Sequence, residues 1–170
     1  MRIIAVDPSL RGTGFAILED GRSPGQRVRC LEYSVVQNPP SLSQEQCLVR
    51  IHEELGAAID RHDPSALAIE KVIYVQSYPT AIVLGAARGV AVLAAAQRGL
   101  PIHEYPPKRV KQAVVGKGAA AKEQVAFMIR ALLGLTETPP PDAADAIAIG
   151  LTHLQTVTSP LHRVTATRAR

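Results

Sequence analysis

Tryptophan is absent from this 170-residue sequence, and aromatic residues make up only 4% of it. A core built from such a chain has to be aliphatic and alanine-rich, which suits helices packed on a sheet. Cysteine is scarce too: Cys30 and Cys47 stand far apart, with no Cys-x-x-Cys pair. That excludes a disulfide framework and a cysteine-based zinc site, and it fits a reducing cytosol, so a cytoplasmic location is expected. The longest apolar region, Ala81 to Ala96, is interrupted by Arg88 and reads as too short for a membrane span. No membrane partner is therefore expected. The chain opens directly on the strand-like Arg2-Ile3-Ile4-Ala5-Val6, so no signal peptide is expected either.

What the sequence does hold is enough apolar material for one core. Hydrophobic residues account for 46%, and 170 residues is the size of a single domain. The net charge of +4 hints at an anionic partner, but its location says more than its total. Arg163, Arg168 and Arg170 sit near the end of the chain; without them sixteen basic residues face fifteen acidic ones. From Lys108 to Lys122 there are five basic residues, Lys108, Arg109, Lys111, Lys117 and Lys122, and no acid. Such a stretch is either a solvated loop or a phosphate-facing surface, and composition does not choose between them.

Arg2 to Val6 reads as a buried strand ending in Asp7-Pro8. Gly12-Thr13-Gly14 turns into a second strand, Phe15 to Leu18, and a third lies near Val28 to Val36. Ser41 to Arg61 carries Leu48, Ile51, Leu55 and Ile59 at helical spacing, with Ser41 or Ser43 as N-cap and Asp63-Pro64 as the break. Ala66 to Ile69 is a short apolar run ending in Glu70, a fourth strand. Lys71 to Pro79 has turn chemistry and exposed tyrosines. Thr80 to Arg98 is a helix apolar on nearly all sides, the kind that neighbours or a partner subunit bury. Pro101 to Tyr105 is a fifth strand, followed by the basic segment, a helix from Ala119 to Leu133, a stiff Pro139 to Pro141, and a last helix from Asp142 to Leu154. The order predicts an α/β fold, a mixed five-stranded sheet flanked by helices. The first three strands leave no room for crossover helices, so the sheet is not purely parallel. Residues 1–155 read as one domain and 156–170 as a basic, frayed tail.

Four acids fall at privileged places: Asp7 ends the first strand, Glu70 ends the fourth, and Asp142 and Asp145 open the last helix. If strands one and four are adjacent and parallel, Asp7 and Glu70 lie side by side. The i, i+3 spacing puts Asp142 and Asp145 on one helix face, which a helix packed on the sheet could aim at the first pair. Four carboxylates at one point repel and raise one another's pKa unless a cation compensates. Oxygen-only ligation suits Mg2+ or Mn2+, and two such ions roughly 4 Å apart would clamp the attacking water and leaving oxygen of a phosphodiester. Each acid also has a plain structural explanation: a turn opener at Asp7, a solvated strand end at Glu70, and favourable dipole positions for Asp142 and Asp145.

Read together, Asp7-Pro8-Ser9 with Gly14, Ala68-Ile69-Glu70, Leu84 to Val90, the stretch from Val110 to Lys122, and Asp142-Ala143-Ala144-Asp145-Ala146 form one ordered set. This set resembles the RuvC-type Holliday junction resolvases, crossover junction endodeoxyribonucleases of the ribonuclease H-like superfamily. The likeness runs over roughly residues 1 to 155 and implies a ribonuclease H-like fold, a homodimer, and two active sites that nick opposed strands of a four-way DNA junction. It implies that Asp7, Glu70, Asp142 and Asp145 are catalytic and bind two Mg2+ ions per site, with Mn2+ able to substitute. Lys111 and Lys122 match basic residues linked to substrate phosphates, and Lys108, Arg109 and Lys117 join them as candidate DNA contacts. The family places a base-stacking aromatic just after the glutamate; here Ile73 takes the aligned place and Tyr74 follows. Ser9 stands where the family usually has glycine. A branch-migration helicase is the further partner such an enzyme would serve.

Three other readings compete. The Asp7 to Gly14 hairpin is of the kind found in sugar kinases and actin-like ATPases, but those need two domains around the nucleotide. A non-catalytic junction binder on this fold would gain nothing from four carboxylates near DNA phosphates. A related nuclease acting on RNA or other branched DNA stays open, because lysines and arginines read phosphates and not bases.

Overall fold

Arg2–Asp7 forms the first strand, β1, and its side chains alternate between two cores. Ile3 and Ala5 point to one face of the sheet and Ile4 and Val6 to the other, all fully buried. The computed structural model describes residues 1–21, 27–73, 77–116 and 121–158. Tyr74, Lys117 and the chain beyond Thr158 lie outside these described residues.

After β1 come β2 (Gly12–Glu19), β3 (Arg29–Gln37), α1 (Gln44–His62), β4 (Leu67–Glu70), α2 (Tyr78–Ala96), β5 (Ile102–Tyr105), α3 (Pro107–Val115), α4 (Lys122–Leu133) and α5 (Pro141–Thr158). The sheet order is β3-β2-β1-β4-β5. β1, β2 and β3 form an antiparallel meander, while β4 runs parallel to both β1 and β5. This is the mixed five-stranded sheet that the element order predicts. α1 and α2 cover the face carrying Ile4, Val6, Ile17 and Ile69; α3, α4 and α5 cover the face carrying Ile3, Ala5, Leu18 and Ala68.

Local chemistry sets the boundaries. Ser43 caps α1 through a reciprocal pair with Gln46, and Asp63, at φ 47°, ends it in the left-handed region. Gly12-Thr13-Gly14 is not a turn: these residues are already in β2, paired with Gln37, Val36 and Val35 of β3. The turn is shorter, Pro8 to Arg11, and Thr13 closes it by accepting from Ser9 N at 3.2 Å and donating to the Ser9 carbonyl. Buried Asn38 holds the same loop from outside, its Nδ2 donating to the Leu10 carbonyl at 2.8 Å.

Part of the basic segment is a helix, α3, where its run of charge alone is equally consistent with a solvated loop. Pro107 stands at its start, where a missing N–H costs nothing; Val110 and Val114 bury one stripe; Gly116, at φ 76°, terminates it.

α2 has the 19 residues expected of it but starts and ends two residues earlier than Thr80 to Arg98. Contrary to the reading of its apolar stretch as too short, by length and composition alone it would pass for a membrane span. Its placement argues otherwise. Ala87, Ala91, Ala94 and Ala95 are buried, packed with the core residues of α1, and Arg88 forms an ion pair with Glu104 of β5. Its first half stays uncovered, with Tyr78 88% and Ile82 68% exposed.

Candidate active site

Strand parity delivers the first two acids. Residues 3, 5 and 7 of β1 share a face, as do residues 68 and 70 of β4 and Ala66 just before it, and both are the face on which α5 packs. The parallel register runs Ile4 with Leu67, Ala5 with Ala68 and Val6 with Ile69. Asp7 and Glu70 are the next residues along, at the carboxyl ends of neighbouring parallel strands.

The last two acids come from the start of α5, and β2 explains how that helix gets so close. A Cβ on Gly14 would overlap the Asp142 carbonyl oxygen, and one on Gly12 would stand 2.7 Å from Asp142 Oδ2. Lower down, a Cβ on Gly150 would press into Leu18 at 2.6 Å and Ala5 at 3.1 Å. Missing side chains on both partners let α5 lie directly on the sheet backbone. The sequence motif includes Gly14, but its contact with a residue 128 positions later is visible only in the fold.

Asp7, Glu70, Asp145, Lys111 and Lys122 line one cavity of about 200 Å³, closed by Pro107, Val110, Val125 and Ala148. Asp142 stands beside it and still acts on Asp7. Burial, and then the charges of Asp145, Glu70 and Asp142, push the Asp7 carboxyl up to about 7. Glu70 is raised as well, by burial first and then by Asp145. Lys122 Nζ donates to Asp145 Oδ2 at 3.1 Å, which raises the lysine.

The acids share one electrostatic field without closing on a single point. Among the described residues no three His, Cys, Asp or Glu groups converge tightly enough to enclose an ion. Mutual repulsion works against closure, and Lys122 already occupies one oxygen of Asp145. The chemistry of the donors nonetheless fits a hard divalent cation. They are all carboxylate oxygens, and burial together with their crowding holds Asp7 away from ionisation, a deficit a cation would relieve.

That strain has a measurable sign. The folded chain favours protonated Asp7, so its contribution to stability is fully present below the ordinary value of 3.8 and is lost as pH rises through about 7. In chelator, the unfolding free energy should fall by about 1 to 3 kcal/mol between pH 4 and pH 7.5, and Asp7→Asn should flatten the curve. Urea melts across that range check it; an equal slope in both proteins would remove Asp7 as the cause.

Comparison with known proteins decides the family. Residues 3–153 match the family described as crossover junction endodeoxyribonuclease RuvC. The chain belongs to the RuvC family. A RuvC crossover junction endodeoxyribonuclease from Akkermansia muciniphila is 55% identical over 154 residues, 91% of this chain and 90% of that one. The structure of Thermus thermophilus RuvC in complex with Holliday junction substrate superposes with a TM-score of 0.84 at 35% identity, covering 91% of this chain and 93% of that one. A yeast mitochondrial Holliday junction resolvase shares the fold at a TM-score of 0.63, with 12% identity over 98% of this chain and 85% of that one. As a RuvC endonuclease the chain is an enzyme that acts on DNA crossover junctions.

Of the candidate DNA contacts, Lys111 and Lys122 face the acids, whereas Lys108 and Arg109 line a different cleft. Ile73 is 67% exposed beyond the end of β4. Tyr74 and Lys117 lie outside the described residues.

Proposed function

We propose that this RuvC endonuclease resolves four-way junctions by hydrolysing DNA phosphodiesters at the cavity between β1, β4 and α5, with Asp7, Glu70, Asp142 and Asp145 holding two Mg2+ ions. The single observation that carries this reading is the placement of three of those acids and two lysines on one cavity, with the fourth acid coupled to Asp7. When bound, Mg2+ or Mn2+ supplies Lewis-acid activation of the attacking water and of the leaving oxygen. The chain supplies the rest. Lys111 and Lys122 neutralise the scissile phosphate, and Lys122 exchanges its carboxylate partner for that phosphate as DNA enters. The protein backbone at Gly12 and Gly14 fixes Asp142 and Asp145 over the cut. The products carry 5′-phosphate and 3′-hydroxyl ends. Beyond Glu70, exposed Ile73 and its neighbour Tyr74 are the candidates for holding the junction centre open.

Symmetric cutting of opposed strands requires two such cavities, and we assign the second to a second copy joined through α2. Gly85 and Gly89, four residues apart, have nothing within 4 Å of where a Cβ would sit, and Ile82 stands out beside them. Together they present a flat apolar stripe that another helix can approach closely. Ile82→Glu should turn a dimer into a monomer by sedimentation and cost paired nicking; a dimer that survives the change would move the interface elsewhere. The nuclease domain extends past the expected 1–155 to the end of α5 at Thr158, with the chain after it a basic extension, the cytoplasm its compartment and a branch-migration helicase a further partner.

The test of the chemistry is metal and end analysis on a labelled junction. Cutting should need Mg2+ or Mn2+, and ligase should seal the products. Cutting in chelator, or ends that ligase rejects, would overturn the proposed mechanism.

A further inference from the structure

The basic segment is not one surface. On α3, Pro107, Val110, Lys111 and Val114 lie on the flank facing the acids and α4, whereas Lys108, Arg109, Gln112 and Ala113 lie on the opposite flank. The second flank forms one wall of an open cleft of about 560 Å³, whose other wall is Thr152, Gln155 and Thr156 near the end of α5. Among the described residues no acidic side chain lines it.

The cleft is already organised. Arg109 Nη2 donates to Thr156 Oγ1 at 3.1 Å, and that hydroxyl donates in turn to the Thr152 carbonyl at 2.7 Å. Gln155 Nε2 ties α5 to the Ala113 carbonyl at 3.1 Å, fixing the two walls. Lys108 stands exposed at the rim. Cations, amides and hydroxyls without a carboxylate are the side chains that contact DNA backbone phosphates, and a preset guanidinium loses less freedom on binding.

Its position gives the contact a place on the substrate. Thr156 lies eleven residues beyond Asp145 on the same helix, which is about 16 Å along the axis. At ~3.4 Å per base pair that is about five base pairs of duplex. We propose that this cleft is a second phosphate-binding site, which grips the backbone of a junction arm about five base pairs from the cut. The inference rests on the nuclease reading above, because the distance is measured from the proposed catalytic acids. Lys111 and Lys122 then meet the phosphate being cut, while Lys108 and Arg109 meet an uncut one and set the angle at which the arm leaves.

The experiment is a double-mutant cycle in affinity, using the Asp7→Asn protein so that the junction stays whole. Single methylphosphonates, which remove one phosphate charge, are walked along an arm from two to eight base pairs from the cut. With Arg109 in place, one or two neutralised positions near five base pairs should weaken binding about 5- to 10-fold. In Arg109→Ala those positions should lose their effect, and the salt dependence of binding should become shallower by about one phosphate. Lys108→Ala gives a second, independent cycle on the same phosphates. Equal methylphosphonate costs with and without Arg109 and Lys108 at every position would overturn the second site. Failure of the parent protein to bind a junction at all would instead count against the nuclease reading.

Discussion

Replacing Asp7 by asparagine is expected to lower the cutting rate by at least about 10³-fold while making the folded protein more stable at neutral pH. The loss follows from position. Asp7 ends the central strand, feels Asp145, Glu70 and Asp142 at once, and shares a cavity with Glu70, Asp145 and both site lysines. An amide keeps the shape but donates no charge to a cation. The gain in stability has the same origin. A carboxyl pushed up to about 7 by burial first and by like charges second is strained when ionised, and the amide removes the strain. Above pH 7.5 in chelator the variant should be more stable by about 1 to 3 kcal/mol, and junction binding should persist. Thermal melts and single-turnover cutting on the same preparations check both halves. A variant that cuts normally would remove Asp7 from the chemistry; one that loses both cutting and stability would make Asp7 a structural residue.

The second large effect is expected at a residue that carries no side chain of its own. Gly14→Ala puts a methyl group into the Asp142 carbonyl, which is backbone and cannot rotate away. Either α5 lifts from β2 or the strand bends, and overpacking of this kind costs on the order of 3 kcal/mol. Because the lifted turn carries Asp142 and Asp145, cutting should fall much further than stability, by about 10²-fold or more at a temperature where the variant is fully folded. Urea melts alongside cutting rates separate the two losses. Cutting that falls only in proportion to the unfolded fraction would show that Gly14 is needed for folding and not for aiming the acids.

Gly14 also marks where sequence reasoning stops. The strands were legible as short apolar runs, Arg2 to Val6 and Ala66 to Ile69, each ending in an acid; the parity that puts Asp7 with Ile3 and Ala5, and Glu70 with Ala66 and Ala68, came with the fold. The adjacency of strands one and four, and with it the nearness of Asp7 and Glu70, was one arrangement the element order allowed, and the register of β1 with β4 shows it. The close seat of α5 was not legible, since a glycine in a strand carries no sign of what approaches it from the far end of the chain. Nor was the helix α3, which reads only as a charged stretch; the Val110 and Val114 spacing with Gly116 after it was the signal available. The division of the basic residues between two flanks depends on that helix and was invisible without it. The exposure of the first half of α2 was equally hidden, because an apolar helix does not declare whether its own core or a second copy covers it.

The most direct test of the account is cleavage of a labelled synthetic four-way junction with Mg2+, beside linear duplex and the Asp7→Asn protein. The account predicts paired nicks on opposed strands of the junction alone, sealed by ligase, and none from the variant. Preferential cutting of duplex or other branched substrates, or full activity in Asp7→Asn, would contradict it.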